Sequence, residues 1–525
     1  MNKNVVFLLL LLSFGWPATS QPNCPIIPLP AAAENTGAHF LLDDQTVLSS
    51  ADPQFAALAD YFKQRLLHYT GIALARDNGR NRIVLLRDAN VNKKGSYRLE
   101  MRAHQMVLRA AGTDGLFNGL MSLLQLSLRA PEQGDGRNLP CWTITDAPRY
   151  EWRGLMLDES RHFFGKQMVK TVLDEMALNK LNRFHWHLTD APGWRLTIKK
   201  YPLLTLRGGV GNKTDSLAPA RYYTQADIAE IVAYGKQRHI TVIPEFDMPG
   251  HATAANRAYP RFSGGGSGRF ANFTFNPGLP DTYTYLTNIL KEIAVLFPSG
   301  TVHLGGDEVA FGSKSWASDP AVQQLMQQQG LKDVKAVEQY FFQRMTDSAL
   351  QFFDQVGAWD EAVQSDLPAD SILIFWWRHN LPDQLNTALE KGYRVVLCPR
   401  IPLYFDFVQD STHHQGRRWK GDFSSLQQVY DFSEATYPVA STHTDQIQGI
   451  QANLWTETLY SNRRLEFLLF PRMAALAEAA WTPADHRDYA GFLQRLKPVL
   501  ARYRAAGYYY FNPLKPDQTP EAVDL

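Results

Sequence analysis

His303-Leu304-Gly305-Gly306-Asp307-Glu308 sets two carboxylates side by side behind a glycine pair, at the end of a short apolar segment. Adjacent acids repel, so the pairing gains the fold nothing. Its use is chemical. One carboxyl is pushed toward the protonated form and can donate a proton, while its charged neighbour stabilises a developing cation. Cleavage of a glycosidic bond requires that division of labour.

The segment in front of the acids, Thr301–Leu304, reads as a strand, and it has company. Gly154–Leu157, Arg183–Leu188, Thr241–Phe246, Gln355–Ala358, Ser371–Phe375, Arg394–Leu397 and Gly449–Leu454 are further candidate strands. Helical patterns lie between most of them. Thr224 is placed to cap a helix running to Arg238, with Asp227 as the capping-box acid, and Asn462 to cap another running to Trp481. Eight strands in this order predict a (β/α)8 TIM barrel over residues 149–490, followed by a C-terminal helix and tail, 491–525, frayed from Pro513. The Gly264-Gly265-Gly266 run reads as a flexible loop or a lid.

Residues 24–145 form a separate small α+β domain in front of the barrel. Helical spacing covers Gln54–Tyr69 and Gly115–Leu128, strands cover Arg82–Leu86 and Gln105–Ala110, and Asp146-Ala147-Pro148-Arg149 marks the boundary. This part carries no catalytic cluster, which suits a scaffold. Residues 1–20 have the pattern of a signal peptide: Lys3, the apolar run Val5–Phe14, then Ala18-Thr19-Ser20. Export to a periplasm or the medium follows. Gln21-Pro22-Asn23 disfavours lipid attachment at Cys24. The three cysteines, Cys24, Cys141 and Cys398, permit at most one disulfide, and pairing of Cys24 with Cys141 stays open. A net charge of +1 gives no reason to expect nucleic acid, and no segment past the leader predicts membrane insertion. A homodimer is compatible with the sequence.

Function in such a barrel sits at the C-terminal strand ends. There the chain places Asp158, with Arg153 at the strand's start and Arg161 beyond its end; His185, His187 and Asp190; Glu245, Asp247 and His251; Asp307 and Glu308; Trp359, Asp360 and Glu361; Trp376, Trp377 and Arg378; Tyr404 and Asp406; Trp455 and Glu457. Acids and arginine suit adjacent hydroxyls, and Trp359, Trp377 and Trp455 suit the faces of a pyranose ring. Trp376 and Trp377 diverge if extended, so only one faces the pocket. A rival reading takes His185, His187, Asp190 and His251 as the metal ligands of a barrel amidohydrolase. Against it, the His-x-His pair follows the second strand and no lysine is placed to bridge metals. The other reading is a relay in which Asp190 and His251 orient a catalytic carboxyl while His185 and His187 are packed. A binding protein that has lost catalysis is a third reading, opposed by the intact acid pair.

Arg153-Gly-Leu-Met-Leu-Asp158, His187-Leu-Thr-Asp190, Pro244-Glu-Phe-Asp-Met-Pro-Gly-His251, His303-Leu-Gly-Gly-Asp-Glu308, Gly357-Ala-Trp-Asp360 and Ala452-Asn-Leu-Trp-Thr-Glu457 together resemble the β-N-acetylhexosaminidases of glycoside hydrolase family 20. The resemblance implies exo-hydrolysis of terminal β-linked N-acetylglucosamine or N-acetylgalactosamine from an oligosaccharide or glycoconjugate, with retention, and neither metal nor other cofactor. It casts Glu308 as general acid and Asp307 as the partner of the substrate's acetamido N–H. The nucleophile is then the substrate's own acetamido oxygen, held by Tyr404. It casts Arg153, Asp406 and Glu457 as hydroxyl binders, Trp359, Trp377 and Trp455 as walls, and Asp190 and His251 as the supporting dyad.

Overall fold

The computed structural model describes residues 24–522. The proposed signal peptide lies outside them. Among the described residues no helix is long and apolar enough to cross a membrane.

The small domain is a mixed sheet with strand order Ala32–Leu42, Gly136–Asp146, Tyr97–Arg102, Gln105–Ala110, Asn81–Arg87 and Thr46–Ser50. The two-residue strand Glu132–Gln133 pairs with Gly136–Asp146. Of these strands, sequence periodicity had marked Arg82–Leu86 and Gln105–Ala110. Two helices, Pro53–Thr70 and Thr113–Arg129, lie on one face. Asp52 caps the first by accepting from the N–H groups of Gln54 and Phe55, and Gly71 ends it in the left-handed conformation. The second helix is buried from Gly115 to Ser127 because it sits between the sheet and barrel helix Lys166–Leu178.

The second unit is a closed barrel of eight parallel strands. In chain order they are Trp152–Asp158, Arg183–His187, Thr241–Glu245, Thr301–His303, Gln355–Trp359, Ile372–Trp376, Arg394–Leu397 and Ile447–Leu454. Each overlaps its expected segment to within one or two residues. Barrel register brings Asp158 beside His187, His187 beside Glu245, and Glu245 beside His303. One polar layer therefore closes the top of the barrel. Helix Gln225–Gln237 begins with the expected capping box, Asp227 N–H to Thr224 Oγ1 at 3.1 Å and Thr224 N–H to Asp227 Oδ2 at 3.0 Å.

Four expectations change. The helix predicted from Asn462 to Trp481 is two, Asn462–Leu469 and Arg472–Trp481, because Pro471 has no N–H to continue the first. Its cap is Ser461, not Asn462. The tail expected to fray from Pro513 returns to the barrel, where the Glu521 carboxylate accepts from the N–H groups of His414 and Gln415 at 2.7 and 2.8 Å. The Gly264–Gly266 run is pinned rather than free, Gly264 N–H donating to Thr274 O at 2.8 Å and Thr274 N–H returning to Gly265 O at 3.1 Å. All three cysteines are buried and free, so Cys24 and Cys141 form no bridge.

The boundary at Asp146 is a buried joint, not a linker. Asp146 accepts from Trp481 Nε1 at 2.9 Å and pairs with Lys180 at 3.2 Å, both side chains fully buried in that pair. Glu478 ties three distant segments, accepting from Leu29 N–H at 2.9 Å and from both terminal nitrogens of Arg495, on helix Tyr489–Ala505, at 3.0 and 2.5 Å. Removing one partner of a buried pair strands the other charge, at a cost of roughly 3–5 kcal/mol. Glu478→Ala should therefore lower the melting temperature by several degrees, and a melting curve matching the parent protein would contradict this account of the joint.

Candidate active site

The acid pair stands where its strand ends, and the glycines in front of it are sterically required. Gly305 has φ +66° and Gly306 φ +95°, and a Cβ at Gly305 would lie 2.0 Å from Asp247 Oδ1. The same Asp247 oxygen accepts from Gly306 N–H at 3.1 Å. Glu308 is itself left-handed at φ 54°, a conformation rare outside glycine and concentrated at functional sites. The turn sets both carboxylates on the wall of a pocket of about 700 Å³. Arg161, Asp190, His251, Trp377 and Tyr404 also line it.

Below the pair runs a continuous polar chain. Glu245 is fully buried at the centre of the barrel. It accepts from His187 Nδ1 at 2.7 Å and Trp359 Nε1 at 2.8 Å, with His185 Nε2 at 3.0 Å and His303 Nδ1 at 3.2 Å. His187 Nε2 meets Asp190 Oδ2 at 3.0 Å, and Asp190 Oδ1 meets His251 Nδ1 at 3.0 Å. His251 Nε2 then stands 3.5 Å from both Asp307 Oδ2 and Glu308 Oε2. Arg161 Nη2 braces Asp190 at 2.7 Å.

Burial disfavours charge along this chain, yet its members hold one another charged. Against burial, Asp190 and then Asp307 keep His251 well above the usual imidazole range. Arg161 and His251 overcome the same burial to hold Asp190 well below the usual carboxylate range. His185 goes the other way, pushed down to about 4 by burial. Of the adjacent acids it is Asp307 that burial raises, to about 7, with Glu361 and Glu308 adding to the rise and His251 opposing it. That raised carboxyl is the one cast as the acetamido partner.

At the other end of the pocket Arg417 binds two acids, its Nε lying 2.6 Å from Asp406 Oδ2 and its Nη2 donating to Glu457. Burial still raises Asp406 to about 7. The walls are aromatic. Trp377 and Tyr404 lie nearly parallel, 6.1 Å apart, and Trp455 packs 5.8 Å from Trp359 and 6.0 Å from Tyr404. Trp376 is buried behind them against Tyr437, which settles the choice between the adjacent tryptophans in favour of Trp377.

Asp307, Glu308, Tyr404, Asp190, His251, Trp359, Trp377, Asp406, Trp455 and Glu457 are thus brought together as expected. Arg153 is not. It is the second residue of its strand and so lies at the opposite end of the barrel, where Nε donates to Lys180 O and Nη1 to Tyr150 O, both at 2.8 Å. The arginine that this strand delivers to the pocket is Arg161, three residues past its end. Strand polarity alone could have made that choice. His187 is packed and hydrogen-bonded as expected, and it links Glu245 to Asp190. No sequence signal marked Arg417, which lies in a long loop after the seventh strand.

Residues 150–484 match the model of the glycosyl hydrolase family 20 catalytic domain, and residues 23–147 match domain 2 of that family. The chain is 31% identical over 522 residues to a β-hexosaminidase of Porphyromonas gingivalis, covering 95% of this chain and 66% of that protein. A β-hexosaminidase of Vibrio furnissii is 32% identical over 482 residues, covering 88% and 77%. The crystal structure of an exo-β-N-acetylglucosaminidase from Vibrio harveyi in complex with N-acetylglucosamine aligns with TM-score 0.85 and 31% identity, over 94% of this chain and 79% of that one. The chain belongs to glycosyl hydrolase family 20. Within it, the protein is a glycoside hydrolase of the β-N-acetylhexosaminidase type.

The raised Asp307 predicts a pH limb. Below about 7 its protonated share grows and the carboxylate acceptor is lost, so kcat/KM, which reports the free enzyme, should fall as pH drops through that value. Asp406 titrates in the same range. Asp307→Asn should therefore make the limb shallower, and pH profiles of identical slope for the two proteins would contradict the assignment.

Proposed function

We propose that the protein is an exo-acting β-N-acetylhexosaminidase that removes terminal, non-reducing β-linked N-acetylglucosamine or N-acetylgalactosamine, retaining configuration by substrate-assisted catalysis. One observation carries the choice of nucleophile. A protein nucleophile needs a further free carboxylate across the pocket from the donor. The candidates, Asp406 and Glu457, are both tied to Arg417, and Glu457 also lies 3.9 Å from Arg161. They suit hydroxyls, not attack on carbon.

In this reading Glu308, the more exposed member of the pair at 34% of its side chain against 13% for Asp307, protonates the departing oxygen. Asp307 accepts from the acetamido N–H. That turns the acetamido oxygen onto the anomeric carbon, and the Tyr404 hydroxyl donates to the same oxygen. The C–O bond to the leaving group breaks as the ring-closing C–O bond forms. Water then opens the cyclic cation from the opposite side, losing its proton to Glu308. Two displacements give retention. The chain Glu245–His187–Asp190–His251 fixes both carboxyls from below. Working outside the cytoplasm, after export through residues 1–20, is part of the same proposal.

Glu308→Gln should lose about 10²–10⁴-fold in kcat on substrates with poor leaving groups. Asp307→Asn should slow 2-acetamido substrates severely. The mechanism is tested by comparing an aryl 2-acetamido-β-glucoside with the plain β-glucoside. Turnover of the first alone is expected, and equal rates on the two would exclude assistance by the substrate.

A further inference from the structure

We propose that the cleft between the small domain and the N-terminal face of the barrel is a second ligand site, built for an organic oxyanion of the sugar phosphate or sugar sulfate kind. Its volume, about 660 Å³, approaches that of the catalytic pocket and falls in the range of small-molecule sites. The floor holds Arg153 and Arg183 from the first two barrel strands.

Neither arginine has a carboxylate partner among the described residues. Arg153 is 5% exposed and donates only to main-chain carbonyls, through Nε and Nη1. Its guanidinium otherwise lies over the Trp481 ring, 5.0 Å from the centroid. Arg183 donates through Nη1, to Asn182 O at 3.1 Å and Thr241 Oγ1 at 3.4 Å, and lies over the Trp152 ring at 5.5 Å. Two acids share the lining, and each has its own partner, Asp114 with His239 at 2.7 Å and Glu151 with Lys94 at 2.9 Å. Burial and then the charge of Arg183 push Arg153 down to about 9, with Asp114 and Glu151 opposing.

A buried guanidinium without an acid is costly, and a phosphate or sulfate group is the ligand whose geometry its fork matches. Lys236 stands at the cleft's edge and adds a cation to those of Lys94, Lys180 and Arg238, which are ion-paired. Leu58, Phe117, Leu181 and Val242 give the wall an apolar stretch that suits the body of an organic ester better than a bare ion. The cleft lies at the opposite end of the barrel from the acid pair, so the two sites cannot share one ligand.

The test is calorimetric titration of the full chain at fixed ionic strength, with N-acetylglucosamine in excess to occupy the catalytic pocket. The probes are glucose 6-phosphate, glucose and inorganic phosphate. The expected result is saturable one-to-one binding of the ester, none of glucose, and weaker binding of inorganic phosphate. Arg183→Gln should weaken the ester at least tenfold and leave turnover of an aryl N-acetylglucosaminide unchanged. Lys236→Gln, on an exposed helix face, gives a second variant that folds independently of the buried arginines and should weaken binding more modestly. Absence of saturable binding, or the same affinity in all three proteins, overturns the site. Inorganic phosphate binding as tightly as the ester overturns the organic ligand.

Discussion

The Glu245 carboxylate is the constraint on which this active site depends. It is sealed at the centre of the barrel with three imidazoles and one indole N–H around two oxygens. A buried carboxylate is tolerated only when it is paired and hydrogen-bonded. Here the cost is met by His187 first, with His303 and His185, which hold Glu245 well below its usual range despite burial. The hydrogen bonds from His187 and Trp359 fix those two rings. His187 presents its other nitrogen to Asp190 and the Trp359 indole is locked as a wall. The floor is thereby rigid before any sugar arrives, as preorganised catalysis requires.

Rigidity below meets strain above. Positive φ angles at Gly305, Gly306 and Glu308 carry the chain over Asp247. A side chain at Gly305 would displace Asp247, whose oxygen holds the turn. At that turn Glu308 is the more exposed of the two acids and Asp307 the more buried. They share a strand end, and His251 Nε2 stands 3.5 Å from both.

How much of this was legible depended on whether a feature is local. The strands were readable because each barrel strand is a short apolar run between helical patterns, and the acid pair because its repulsion needs a reason. Arg153 misled because it stands in a motif with Asp158, and a motif carries no direction. Six residues along a strand separate the two ends of a barrel. Arg417 was invisible because its meaning comes from Asp406 and Glu457, eleven and forty residues away along the chain and joined only by folding. The single helix expected up to Trp481 failed for a local reason that was present in the sequence, the proline at 471.

Charge accounting ties the pocket to its chemistry. Asp190, Asp307, Glu308, Asp406 and Glu457 face it or brace it, and Arg161, Lys213, Arg269, Arg417 and protonated His251 answer them. Even among these cations burial lifts Asp307 and Asp406 to about 7. A carboxyl poised there suits a sugar that becomes positive at the anomeric centre. As that charge develops, Asp307 regains a reason to ionise. The same residue that is reluctant to be charged in the free pocket therefore stabilises the reacting sugar more than the resting one, and that difference is what lowers a barrier.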